Sequence, residues 1–540
     1  MVDLIFPPGI HVARNRFRYV DSTGVSRNPY TGTVRTASRG GDRIACSMDT
    51  APAGGGSATS QRDRARLLAF IASMRGKQNR AYLWDHGYRI RGSFPASEVL
   101  ANGDFRNGTT GWGTGSEYTV SVHDQIARCS RTAVTISQPV LTLASAATVT
   151  QYAVYAARAM LIAGRGSFGD VGLYFGSSGA GTDYGPGSSF DADFGLYTVA
   201  GAAIATTASP TPVDLASSGL VAGDYMDIPF ISLARCALVD NSPNANLYSD
   251  QLDNAAWTKT RCSVTANAAS APDGTTTADA LVEDSSASTT HLIAPASQPT
   301  RTSAATDLSI VGYFKRGSGT RDIQMRVGSD ASNYGHCIFD LGAGTAGGAS
   351  TAGTASNARA YISARGNGWY FCALVVRVAA STTLYGQWNI CSSGTNTYSG
   401  NGTSSVYCWR LGSAVSGVPF APMQTTSAGD SDGTAQTGTG MRVKGLPVST
   451  AGLLLPGDWF EVITSYGSEL KMVTASLNSD AGGLGYLRFS PPLRGSVSDN
   501  AAVILCQPMG RFVFSGDAME WMTDPGIVSA ASFEWDEAVG

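Results

Sequence analysis

Side chains able to do acid–base, nucleophilic or metal chemistry are few and scattered in this 540-residue chain. Its histidines, His11, His86, His123, His291 and His336, form no HxxxH or HExxH pair, and none stands at zinc spacing from a pair of cysteines. His336 and Cys337 are neighbours in a strand-like run, so strand alternation sends them to opposite faces and argues a structural role. Gly429-Asp430-Ser431 has the letters of a hydrolase motif, but it lies in a polar linker without the strand-to-helix turn that a nucleophile needs. Asp430, Asp432 and Gly433 begin like a calcium loop, yet the later acidic residue is missing. Glycoside hydrolysis needs only two carboxylates roughly 5 to 9 Å apart, which any part of a chain can supply. No such pair is marked here, and the chain is not expected to be an enzyme.

Binding chemistry is better represented. Sugars are held by aromatic rings against the apolar face of a pyranose, with planar hydrogen-bonding groups beside them. Tyr334 and Trp388 stand in polar, glycine-bearing surroundings next to Asn333 and Asn389, and these four are the candidate carbohydrate-binding residues. Trp112 and Trp257 follow the entry strand of each module, Trp369 and Trp409 lie in strands with large apolar neighbours, and all four are expected in cores. Arg14, Arg16 and Arg18 alternate, so they share one strand face, and Arg62, Arg64 and Arg66 open a helix. Both sets are candidate subunit contacts, with solvated surface as the plain alternative.

The elements that must position these residues are mostly strands. Only 15% of the chain is charged and 64 residues are glycine, which suits short strands and tight turns. One helix is predicted over 61–76, with Ser60 as its cap and Leu67, Phe70, Ile71 and Met74 on one stripe. Nine dispersed cysteines without a CxxC pair read as reduced, buried thiols of a protein folded in a cytosol. The start, Met1-Val-Asp-Leu-Ile-Phe-Pro-Pro8, lacks the basic and apolar regions of a secretory leader, and no run is long enough for a membrane span. Residues 1–98 hold 15 Lys and Arg against 7 Asp and Glu, a balance of +8, which leaves −11 for the rest of a chain whose total is −3. A positive amino-terminal part facing an acidic protein partner fits this asymmetry better than nucleic-acid recognition, which is not expected.

A repeated opening divides the middle of the chain. Asn102-Gly-Asp-Phe105 with Gly108-Thr-Thr-Gly-Trp112 is echoed by Asn246-Leu-Tyr-Ser249 with Asn254-Ala-Ala-Trp257. Each precedes a long stretch rich in Thr, Ser, Gly and Val, so two β modules are predicted at 99–240 and 241–424. Six short strands follow at near-regular spacing, at 441–445, 458–462, 470–474, 485–489, 502–505 and 511–514. That spacing predicts a small barrel within 425–540.

The end segments resemble a known family. Ala65-Arg-Leu-Leu-Ala-Phe-Ile-Ala-Ser-Met-Arg-Gly76 and Arg80-Ala-Tyr-Leu-Trp-Asp-His86 are similar to the helix and next strand of distal tail and minor tail proteins of long-tailed bacteriophages. Gly445-Leu-Pro447, Leu455-Pro-Gly-Asp-Trp459, Leu470-Lys-Met-Val-Thr-Ala475, Phe489-Ser-Pro-Pro-Leu-Arg494 and Pro508-Met-Gly-Arg-Phe512 resemble the same family. The middle modules resemble jelly-roll carbohydrate-binding modules, in Asn102–Trp112, Asn246–Trp257, Ala271-Pro-Asp-Gly-Thr275 with Asp279, Val406-Tyr-Cys-Trp409 and Pro419-Phe-Ala-Pro422.

These resemblances imply a mainly β chain. A discontinuous tail-platform unit, made from 1–98 and 425–540, would contain a sandwich or barrel and one packed helix, with two tandem jelly rolls inserted in an exposed loop. They imply a virion protein of the tail tip, a hexameric ring subunit touching the tail tube and the hub or baseplate proteins, with modules that reach host-surface glycans. A peripheral receptor-binding tail protein is the first alternative and a polysaccharide-degrading tail enzyme the second. No cofactor is expected, although the jelly-roll resemblance makes Asp104, Asp273 and Asp279 candidates for a structural calcium ion.

Overall fold

The computed structural model describes the chain except residues 1–2, 7–9, 11, 21–23, 28–33, 38–42, 51–66, 76, 85–88, 96–97, 124, 134–138, 144–148, 151–152, 166–170, 176–182, 185–196, 205–212, 218–220, 241–243, 302, 423, 426–435, 437, 466, 481, 517–520, 525–526 and 539–540. The Gly429-Asp-Ser431 motif, the Asp430–Gly433 loop and Arg62, Arg64 and Arg66 lie outside the described residues.

Both chain ends build one sheet. Its strands run in the order Asp3–Ile5, Arg80–Trp84, Met509–Phe514, Ile527–Glu537, Arg43–Thr50 and Val12–Val20, with Trp521–Asp524 paired to Ile527–Glu537. Ala81 lies opposite Phe512 and Trp535 opposite Cys46, so two carboxy-terminal strands lie between two pairs of amino-terminal ones and neither end has the whole sheet alone. The helical turns at 67–74 lie on one face, burying Leu67, Phe70 and Met74 beneath Phe6 and Trp535. Phe70 meets Phe6 edge-on at 5.5 Å. A buried side chain of this size contributes about 1.5–3 kcal/mol, which is why the apolar stripe rather than helix propensity holds so short a segment.

The barrel differs from the sequence expectation in one strand. Gly438–Lys444, Gly485–Leu493, Gly467–Val473, Trp459–Thr464 and Ala502–Ile504 belong to it, but the sixth predicted strand, now Met509–Phe514, joins the seven-stranded sheet instead. Ala237–Val239 closes the barrel, pairing with Gly438–Lys444 on one side and Ala502–Ile504 on the other. The segment before the first module also returns here. Phe94 donates its backbone N–H to Leu453 O at 3.0 Å, and a Cβ on Gly92 would stand 2.1 Å from that same carbonyl oxygen. The modules are therefore two separate insertions, with the chain touching the barrel between them, and not one tandem insertion in one loop.

The first module is a sandwich of two five-stranded sheets, and the second a sandwich of a seven-stranded and a six-stranded sheet. The repeated opening has the same job in each. Trp112 and Trp257 are buried, and their indole N–H groups donate to Asn102 O and Tyr248 O, both at 2.9 Å. Each indole thus fills a core and fastens the loop that leads into it. Trp369 and Trp409 are buried as expected, and all nine cysteines are unpaired, seven of them buried. Among the described residues no helix is long and apolar enough to cross a membrane.

Both sandwiches are fixed to the barrel. Arg158 on the strand Val154–Arg165 of the first module pairs with Glu461 of the barrel at 2.7 Å, both almost wholly buried. Val154, Ala156, Cys236 and Leu238 share a small core with Ala502, Ile504 and Val418, the last from the end of the second module. Where the chain departs for and returns from that module, the buried Lys444 ammonium lies 3.5 Å from Asp240 and 2.9 Å from Asp499.

Candidate ligand-binding site

The strand Tyr334–Asp340 alternates strictly: Gly335, Cys337 and Phe339 are buried in the sandwich, while Tyr334, His336, Ile338 and Asp340 turn outward. Pairing then fixes what stands beside them. Gln324 is opposite Ile338 and Arg326 opposite His336, and on the next strand Asn389 is opposite Gln324 and Gln387 opposite Arg326. The outer face of the seven-stranded sheet is consequently a patch of amides, imidazole and charged groups assembled from three strands.

A cavity of about 560 Å³ opens on this face. Gln324, His336, Ile338 and Asp340 form its floor, and the loops Thr345–Gly348 and Gly394–Asn396 form its walls. Asp322 and Asp340 at one end are both bound by Arg316, at 2.7 and 3.0 Å. Asp340 also accepts the N–H groups of Ala343 and Gly342, and these hold its carboxyl below the usual range. Burial, then the nearby Arg326 charge, pushes the His336 imidazole below its ordinary value, so it is neutral at pH 7.

Two lining residues carry a buried polar atom without a hydrogen-bond partner, His336 Nδ1 and Asn396 Nδ2, and Asn389 Oδ1, outside the lining, is a third. Leaving such a group unpaired costs about 1–3 kcal/mol, so two of them in one lining mark a place where a hydrogen bond to water or a ligand would be gained. Gln324 is better served, its Oε1 accepting from Arg326 Nε at 2.9 Å.

The four candidate sugar-binding residues separate on this sheet. Tyr334 is on the outer face, half-buried, with the Arg326 guanidinium 5.0 Å over its ring. Asn333 is consumed by its own turn: its amide donates to Asp330 at 2.9 Å and its Oδ1 accepts the Thr354 N–H at 2.8 Å. Asn389 is on the outer face but fully buried. Trp388 points the other way. It is 0% exposed and packs edge-on against Trp257 at 5.5 Å, so it presents no face to a sugar. Adjacent residues in a strand cannot both face the ligand, and the larger apolar one took the core.

The calcium candidates do not converge. Asp104 pairs with Arg106 at 2.8 Å, and Asp273 accepts from Thr275 and stands 3.7 Å from Arg410. Asp279 is buried and gives one oxygen to the Leu252 N–H and the other to the Asn267 N–H, so it ties two loops together. Among the described residues no group of three His, Cys, Asp or Glu side chains could hold a metal ion.

Arg14, Arg16 and Arg18 are exposed on the strand Val12–Val20. Arg14 lies 3.9 Å from Asp49 and Arg18 3.3 Å from Glu534, within their own sheet. Such exposed pairs contribute about 0–1 kcal/mol and leave the arginines available to a neighbour.

Gln324, His336 and Asn396 were not among the expected site residues. The alternation around His336 carries the signal for its face, but the cavity needs the register of three strands and the return of the 394–396 loop. Neither a protein-family model nor a curated protein sequence matches the chain. Among solved structures, the N-terminal CBM22-1–CBM22-2 tandem domain of Paenibacillus barcinonensis Xyn10C is 12% identical over 61% of this chain and 100% of that one, with a TM-score of 0.23. A truncated AlyQ with CBM32 and alginate lyase domains is 10% identical over 71% of this chain and 99% of that one, with a TM-score of 0.16. Both carry carbohydrate-binding modules by name, and with TM-scores this low neither assigns a fold or a function to this chain.

Proposed function

We propose that this chain is a non-enzymatic structural protein of the tail tip of a long-tailed phage, a ring subunit between tail tube and baseplate, whose inserted sandwiches contact host-surface glycans. The observation that carries this reading is the joint sheet. Strands from the two chain ends, among them blocks that resemble tail proteins, form one sheet with the carboxy-terminal pair between two amino-terminal pairs, while both sandwiches are additions to that unit. A ring would multiply weak single-site sugar binding into firm attachment, and the exposed Arg14, Arg16 and Arg18 would face a neighbouring subunit or the tube.

Electron microscopy and native mass spectrometry of the purified chain test it. A closed ring, hexameric by mass and with a central lumen, is the expected result. A monomer, or a trimer found at the tail periphery, would replace it with a peripheral receptor-binding role. Release of reducing ends from host polysaccharide, lost on changing one carboxylate, would replace it with an enzyme.

A further inference from the structure

We propose that the cavity on the outer face of the seven-stranded sheet is a binding site for a neutral, hydroxyl-rich saccharide segment. This rests on the glycan-contact part of the function proposed above and gives it a location and a ligand class. The volume, about 560 Å³, falls within the ~300–1,000 Å³ of small-molecule sites.

The polar groups decide the class. A sugar hydroxyl both donates and accepts, and pairs of hydroxyls are matched by groups that do the same. His336 as a neutral imidazole has one donor and one acceptor nitrogen, and its Nδ1 is buried without a partner. Asn396 supplies an unpaired Nδ2 donor from the opposite wall. Gln324, also in the lining, adds a side-chain amide.

Charge argues against an ionic ligand. Asp322 and Asp340 share the Arg316 guanidinium, which offsets one of their two charges, and Arg326, bound to the neutral Gln324 and set over the Tyr334 ring, brings the sum of the four to zero. The charges in and beside the cavity sum to zero, and an acidic or amino sugar would bring in one that is unmatched. Ile338 is the apolar floor residue and no aromatic ring lines the cavity, so recognition is by hydrogen bonds and each site binds weakly.

The walls allow a steric test. A Cβ on Gly348 would meet nothing within 4 Å, so a tyrosine there can be accommodated by the backbone while its ring fills the cavity. The full chain is run by affinity electrophoresis through gels containing dextran, mannan or galactan as neutral probes and polygalacturonate or chitosan as charged ones, with melting temperatures recorded for every variant. The expected result is retardation by at least one neutral polymer, abolished in Gly348→Tyr and weakened roughly tenfold in His336→Ala and in Asn396→Ala, at unchanged melting temperature. Equal retardation of the wild type and Gly348→Tyr would overturn this site and leave glycan contact standing elsewhere. Retardation by charged polymers alone would overturn the ligand class. No retardation by any polymer would overturn both the site and the glycan-contact reading.

Discussion

On the six-stranded sheet of the second sandwich, Val311, Phe371, Ala373 and Ala414 turn outward and are buried against Phe420 and the barrel residue Leu484, with Arg365 bound to Asp480 at the edge. On the seven-stranded sheet the outward residues are Gln324, Arg326, Tyr334, His336 and Asp340, no described barrel residue lines the cavity on this face, and buried polar atoms remain unpaired. The backbones are alike and the chemistry is opposite. The first sandwich repeats the mounting half of this division, since the outer face of its strand Val154–Arg165 docks on the barrel through Arg158 and Ala156. A sandwich with one face spent on mounting has the other to offer, and under the proposed function stability and binding separate by face.

The comparison can be broken by substitution. Glu461→Ala should have the largest effect, about 3–5 kcal/mol in chemical denaturation, because it strands the buried Arg158 guanidinium. Phe371→Ala on the mounted face should cost about 3–5 kcal/mol by leaving a cavity against Phe420 and Leu484. Trp388→Ala should cost a similar amount through the core, and any sugar binding should persist in the fraction that remains folded. Tyr334→Ala on the open face should change stability by less than about 1 kcal/mol, since only half-buried ring and one cation–π contact are lost. An open-face substitution as costly as Phe371→Ala would erase the distinction.

The smallest expected effect is on pH dependence. His336 has a folded pKa below its unfolded one, so the unfolded chain binds more protons in the window between them. Its contribution to stability is therefore complete above about pH 6.5 and declines as pH falls below that value. The groups facing it are Arg326, Gln324, Asp340 and Tyr334. His336→Gln should flatten that part of the melting-temperature profile between pH 7 and pH 5, and an unchanged slope would show that other groups set it.

Much of the architecture was legible because alternation and turn residues are local signals. The helix stripe of Leu67, Phe70 and Met74, the core tryptophans and five of six barrel strands follow from them. Ala237–Val239 was not legible as the closing strand, because three apolar residues carry no period and their pairing partners lie about 200 and 260 positions away. At the site, alternation told that Trp388 and Asn389 take opposite faces but not which face is the core. Polar neighbours suggested exposure for both, and burial beside Trp257 decided otherwise. His336 was read as structural for the same alternation that now places it on the cavity floor. What turned it into a site residue was the register that sets Gln324 and Asn389 alongside and the 394–396 loop that closes over them.

Hydroxyl-radical footprinting of the full chain, with and without the neutral polysaccharide that retards it most, tests the division between mounted and open faces most directly. Protection confined to His336 and Ile338 with the 345–348 and 394–396 loops is the predicted result. Protection on the first sandwich or on the barrel, with those residues as reactive as in the free chain, would contradict it.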